Sequence, residues 1–237
     1  MPGDWWVDER AGDAATLHAV WPRIVERPDR RAVAVCRVSA PAVVLGSTQS
    51  EEVVDGPRAA AAGVSVARRR SGGGAVLVVP GDPAWIDVYL PRHDPLWRSE
   101  VDRAFDWLGD AWVDALGRNG LTGLSANRGG YRPCTRWSSL VCFGGVGTGE
   151  VVTDDGRKVV GLAQRRTRQG AWFHGACVLR WEPADLVGVL AMDALERKAA
   201  TDGLRSAVVG AADLAAEVGS EAPDAAGLSA SLIDSLP

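Results

Sequence analysis

The alternation of apolar and polar positions divides the chain into a strand-rich first part and a helical last part. Two short apolar runs, Ala32–Val38 and residues 42–46, predict β-strands separated by Ser39-Ala40-Pro41. A punctuated helix follows: Asp55 as cap, Pro57 in the first turn, an alanine run, and Gly63 as the stop. Residues 64–69 predict a strand and residues 75–79 another, with a glycine-rich loop between them. Pro80-Gly81-Asp82-Pro83 predicts a turn into the alternating strand Trp85-Ile86-Asp87-Val88-Tyr89. Val101, Phe105, Leu108, Trp112 and Leu116 recur at three- and four-residue spacing and predict a helix that begins at Ser99 and ends at Gly117-Arg118-Asn119-Gly120.

Residues 121–136 read as loop. Residues 150–153 and 157–163 then predict a hairpin, closed by Asp155-Gly156 as a type I′ turn, and residues 171–179 a further strand. Past Pro183 the spacing becomes helical, and residues 219–237, rich in small side chains, are expected to be a mobile tail. Strands gathered in hairpins with segregated helices indicate an α+β fold and not a parallel βαβ sheet. The expected organisation is a catalytic domain over residues 1–182, a helical extension of it over 183–218, and the tail.

Composition narrows the function. The net charge of −4, from 26 basic and 30 acidic residues, argues against bulk nucleic-acid binding. The basic run Arg165-Arg166-Thr167-Arg168 has no aromatic platform nearby and does not change that. No apolar run approaches the length of a membrane span, and Met1-Pro2-Gly3-Asp4-Trp5-Trp6 lacks a signal-peptide pattern, so a cytoplasmic protein is expected. Cys36, Cys134, Cys142 and Cys177 show no CxxC spacing and are expected to be free thiols. The ten tryptophans, against three phenylalanines, are expected to fill core volume.

Two motifs carry candidate chemistry. In Arg68-Arg69-Arg70-Ser71-Gly72-Gly73-Gly74-Ala75, three glycines remove every Cβ from a short arc of backbone, so its amides can approach an anion or carbonyl, with arginines beside them to supply charge. The plain alternative is a flexible hairpin tip. In Gly156-Arg157-Lys158-Val159-Val160-Gly161, Lys158 can stabilise charge that develops on an activated acid, or it is a solvated strand end.

These motifs resemble the lipoate–protein ligase family of the biotin/lipoate ligase superfamily. The residues that carry the resemblance are Arg68 to Val76, Gly156 to Arg165, Phe173-His174-Gly175, and Val43-Val44-Leu45-Gly46-Ser47-Thr48-Gln49, over about residues 42–181. The resemblance implies a mixed, largely antiparallel sheet with flanking helices, like that of biotin ligases and class II synthetases. It implies activation of lipoate or octanoate with ATP and Mg²⁺ to an acyl-adenylate. The acyl group then passes to a lysine on a lipoyl domain of a 2-oxoacid dehydrogenase E2 subunit or of the glycine-cleavage carrier. Carried over by position, Lys158 holds the activated carbonyl. Gln49, Arg69, Ser71, Gly72, Gly73, Gly74, Ala75, Gly161, Ala163, His174 and Gly175 line the acyl and adenylate site.

The chain departs from the family pattern in four places. Gly147-Thr148-Gly149-Glu150 stands where ligases carry a GRND-like element, leaving Glu150 as the candidate metal ligand. Val78-Val79 replaces a His-Asp pair. The chain is too short for the accessory domain of long ligases, and some members of the family it resembles carry that domain on a separate polypeptide, which leaves room for a separate accessory subunit. Cys142-Phe143 lies where related octanoyl and lipoyl transferases keep a nucleophilic cysteine, so a Cys142-dependent transferase that needs no ATP is the alternative to the ligase. A degenerate member that binds lipoate without turnover is a further one.

Overall fold

The computed structural model describes residues 5–19 and 29–237. Met1 to Asp4, part of the segment read for a signal peptide, lie outside the described residues. A seven-stranded sheet has the order β1-β2-β6-β12-β11-β10-β7. Its strands are β1 (Trp6–Gly12), β2 (Ala32–Val38), β6 (Ala84–Pro91), β7 (Leu124–Ala126), β10 (Val151–Thr153), β11 (Lys158–Arg166) and β12 (Gly170–Cys177). Only the β1–β2 pair in it is parallel. A three-stranded sheet, β4-β3-β5, is built from β3 (Ala42–Leu45), β4 (Ser65–Arg68) and β5 (Val76–Val78). The short strands β8 (Arg132–Pro133) and β9 (Gly145–Val146) pair separately. The α+β, largely antiparallel architecture is therefore the one expected.

Alternation along the strands sorts side chains into layers. Val33, Ile86, Val88 and Phe173 on one face of the large sheet pack against α3 (Asp106–Arg118), α6 (Ala211–Val218) and α7 (Ala225–Ser235) through Leu108, Trp112, Leu214 and Leu228. Ala34, Cys36, Trp85 and Trp172 on the other face meet α1 (Ala14–Ala19) and the small sheet through Leu17, Val44, Ala67 and Val78. The small sheet's far side, with Val43 and Leu45, is covered by α4 (Pro183–Gly188) and α5 (Ala194–Ala207). Among the described residues, a further helix, α2 (Gly56–Ala61), starts at its Asp55 cap, whose side chain accepts from the Arg58 amide. Among the described tryptophans, Trp85, Trp112, Trp137 and Trp172 are buried as expected of core residues, whereas Trp6 is 41% exposed. All four cysteines are free.

Four local expectations are corrected. The helix expected from Ser99 begins at Asp106, after a short 3₁₀ turn at Arg103–Phe105 capped by Asp102, and Val101 is 60% exposed. The segment 121–136 contains β7, which pairs with β10, and β8. The hairpin turn is not type I′, because Asp155 does not adopt positive φ; only Gly156 does, at 89°. Thr153 O accepts from the Gly156 amide and the Thr153 amide donates to Arg157 O, a three-residue loop with glycine at the bulge. The segment 219–237 holds α7, capped by Asp224, with Leu228, Leu232 and Leu236 buried. Its Ser231 hydroxyl accepts from Asn119 Nδ2 at the end of α3. Small residues there serve close helix packing.

Candidate functional site

Two sheets meeting face to face leave a cavity between them. It is apolar, about 50 Å³, and crosses three neighbouring strands of the large sheet: Gly161 and Ala163 on β11, His174 and Ala176 on β12, Trp85 on β6. Val44, Val76 and Val78 of the small sheet close it from above. At the β11 side it adjoins a polar cleft of about 450 Å³, lined by Gln49, the three loop glycines, Tyr131, Ser138, Glu150 and Lys158. Cys142 lines both.

The glycine loop lines the polar cleft, and its geometry demands glycine. Gly73 adopts φ 100°. A Cβ on Gly74 would lie 2.7 Å from the Cys142 nitrogen, and one on Gly46 would lie 1.9 Å from Gly73 O. Ala75 ties the loop to the cysteine segment: its amide donates to Leu140 O at 2.7 Å and its carbonyl accepts from the Cys142 amide at 2.9 Å. The amides of Gly72, Gly73 and Gly74 donate to no acceptor among the described residues. They are therefore available to an oxyanion.

The arginines behind the loop are not spare charge. Arg69 is 4% exposed, and its guanidinium donates to the carbonyls of Val44, Gly72 and Gly74 at 3.2, 2.8 and 2.8 Å. Arg68 donates to Gly46 O and Gln49 O and pairs with Glu51. Both hold the loop's shape. Gln49 does the same, accepting from the Gly46 amide and donating to Leu140 O, each at 3.0 Å. Ser71 is buried beside the loop and lines neither space; its carbonyl accepts from the Ser47 amide.

Lys158 is not a solvated strand end. It is 1% exposed, and its ammonium donates to Cys142 O at 3.0 Å and Gly145 O at 2.9 Å, pairs with Glu150 Oε2 at 2.6 Å, and lies 4.9 Å from the Phe143 ring centre. Glu150 also accepts from the Gly147 amide at 2.6 Å and the Leu162 amide at 2.9 Å. Three protein donors thus engage that carboxylate, and among the described residues no cluster of three or more His, Cys, Asp or Glu side chains is present. Mg²⁺ commonly takes one or two carboxylates together with phosphate oxygens, so a metal role for Glu150 would require it to give up its pairing with Lys158.

At the β6 side lies a polar group of which sequence reasoning named only His174. His174 Nδ1 and Asp87 Oδ1 are 2.5 Å apart, and Trp85 Nε1 donates to the same oxygen at 2.7 Å. Burial works against the Asp87 carboxylate, yet the His174 imidazole beside it holds its pKa below the usual range. His18 on α1 packs against Trp85, with ring centres 4.5 Å apart. Burial, with His174 adding to it, pushes the His18 pKa down to about 3, so the ring is neutral. A charged residue between Ile86 and Val88 on a fully buried strand was the available signal for Asp87. Gly175 is needed for packing, since a Cβ there would lie 2.9 Å from Trp112 Nε1.

Comparison with known proteins bears on this arrangement. Residues 18–229 match the model of the lipoyl protein ligase A/B catalytic domain. None of the curated proteins compared matches the chain in sequence. A structure from a Thermoplasma acidophilum lipoylation system, described as a bi-partite lipoate protein ligase and its E2 lipoyl domain, is similar at TM-score 0.74 and 22% identity, covering 99% of this chain and 82% of that one. A lipoate-protein ligase A bound with ATP is similar at TM-score 0.62 and 21% identity, covering 99% and 95%. Biotin protein ligase from Leishmania major in complex with biotin is similar at 0.53 and 9% identity, covering 97% and 72%. At these identities the structures speak for the fold, whereas the family model spans most of the chain. The chain belongs to the lipoyl protein ligase A/B catalytic-domain family.

Proposed function

We propose that this protein transfers a medium-chain acyl group, lipoyl or octanoyl, to a lysine of a lipoyl domain, and that the group passes through a thioester on Cys142. One observation carries this reading: Cys142 is the reactive side chain at the boundary of the apolar cavity and the polar cleft. From β11 to β6 the cavity spans two interstrand spacings, roughly 10 Å. Single bonds of about 1.5 Å at about 111° advance about 1.25 Å each, so an eight-carbon chain matches that span, and its entry requires the cavity of about 50 Å³ to widen.

The chemistry balances without a cofactor. Cys142 Sγ bonds to the carbonyl of a carrier thioester while the carrier's C–S bond breaks, and the carrier leaves as a thiol with the cysteine's proton. The acceptor's neutral lysine amine then attacks the Cys142 thioester; a C–N bond forms, the C–S bond breaks, and the amine's proton returns to sulfur. In both steps the amides of Gly72, Gly73 and Gly74 stabilise the tetrahedral oxyanion, while Lys158 holds the Cys142 carbonyl and so the position of the cysteine.

A second reading, ATP-dependent ligation of lipoate through an acyl-adenylate, is favoured by the polar cleft, whose volume falls within the roughly 300–1,000 Å³ of small-molecule sites. It stands behind the first because the groups expected to meet phosphate and metal, Arg69 and Glu150, are engaged by the protein itself. The acceptor, a lipoyl domain of an E2 subunit or of the glycine-cleavage carrier, would present its lysine through the cleft. The bi-partite relative is the ground for proposing a separate accessory subunit under the ligase reading.

Intact-mass measurement of an apo lipoyl domain tests the two routes. Gain of an octanoyl mass from octanoyl-carrier protein without ATP is expected. Gain of a lipoyl mass only with lipoate, ATP and Mg²⁺ would replace the first reading with the second.

A further inference from the structure

Among the described residues, the apolar cavity is lined by a buried polar atom with no hydrogen-bond partner, the Nδ1 of His18. His18 as a whole is 6% exposed. Its ring stands edge-on to His174 at 5.2 Å and against Trp85, at the side of the cavity opposite Cys142. Buried polar atoms without partners are few in folded proteins, and each carries a desolvation cost that a ligand can relieve. A chain whose carbonyl sits at Cys142 and which crosses β12 toward β6 brings its far end to this imidazole.

We propose that His18 reads the far end of the acyl group, so that the cavity selects a medium chain ending in a hydrogen-bonding heteroatom, such as the sulfur of a dithiolane ring, over the same chain ending in a methyl group. The inference rests on the medium-chain acyl reading and adds its specificity determinant. A methyl terminus leaves Nδ1 buried and unpaired. A ring sulfur accepts from it in the Nδ1–H tautomer, weakly but in a site with no competing water. The small residues along the floor, Gly161, Ala163 and Ala176, give the chain its path, whereas His18 and Trp85 close it.

The test is calorimetric binding of lipoamide and octanamide. These neutral mimics of the acylated lysine need neither ATP nor a carrier, so they serve under either route. Wild-type protein should prefer lipoamide by roughly tenfold, the scale set by one unpaired buried polar group. His18→Leu should bring the two affinities to within about twofold, mainly by improving octanamide binding, while His18→Asn, which keeps a polar atom, should retain a preference of several-fold. Circular dichroism establishes that each variant is folded. Equal wild-type affinities, or an undiminished preference in folded His18→Leu, would overturn the inference and leave the acyl reading standing. If neither amide bound the wild-type protein, both would fall.

Discussion

Cys142 and Lys158 are the residues on which the account turns, and they are locked to one another. The lysine ammonium donates to the carbonyl of Cys142 and is neutralised by Glu150, so the buried pair fixes the cysteine backbone on which transfer depends. Removing one partner of a buried ion pair leaves an uncompensated charge, at a cost of about 3–5 kcal/mol. Lys158→Ala is accordingly expected to lose that much stability in chemical denaturation, as well as transfer activity. The double variant Lys158→Met with Glu150→Gln removes both charges and should recover most of the stability while remaining inactive. Recovery of activity in the double variant would show that the lysine's charge is not used in the reaction.

At the scale of elements, the glycine loop and β11 define the site by what they lack. Gly74→Ala would drive a methyl group into the backbone of the Cys142 segment, so at least tenfold loss of transfer is expected. Ala163→Leu and Ala176→Phe, at partly open positions on the cavity floor, should block acyl entry with little loss of thermal stability. Steady-state transfer measured beside a melting curve checks both. These elements were also the legible ones. Arg68 to Val76 and the Lys158 hairpin are contiguous, and glycine and charge in fixed order announce a tight loop even in one sequence. Arg69 was legible as present but not as to role, because its partners, the carbonyls of Val44 on β3 and Gly74 in the loop before β5, come from separate segments whose approach no local pattern reveals. The α7 segment misled for the opposite reason: Ala-, Ser- and Gly-rich sequence reads as a tail until α3 supplies a surface close enough to need small residues. Leu228 is fully buried there, and Leu228→Ala should destabilise the fold by about 2–5 kcal/mol.

For the whole molecule, the site is the seam between two sheets, and its far wall is assembled from β6, β12 and α1, which are distant in sequence. That is why His18, Asp87 and Trp85 escaped sequence reasoning while the β11 side did not. The seam also sets a pH dependence. His18 is neutral when folded, with its pKa pushed by burial from 6.5 down to about 3. Between those values the unfolded chain binds a proton that the folded chain refuses, so stability falls as pH drops from 6.5 toward 3. His18→Leu removes this contribution, and its stability should decline less steeply than the wild type's across that window. Parallel declines measured by denaturation at several pH values would contradict a buried neutral His18.

The most direct test of the central claim is the intact mass of this protein itself after incubation with octanoyl-carrier protein in the absence of ATP and acceptor. The account predicts one octanoyl adduct that hydroxylamine removes, that an apo lipoyl domain discharges, and that Cys142→Ser fails to form as a thioester. A protein that never acquires the adduct, together with Cys142→Ala that acylates a lipoyl domain at full rate from lipoate and ATP, would contradict it and establish the adenylate route.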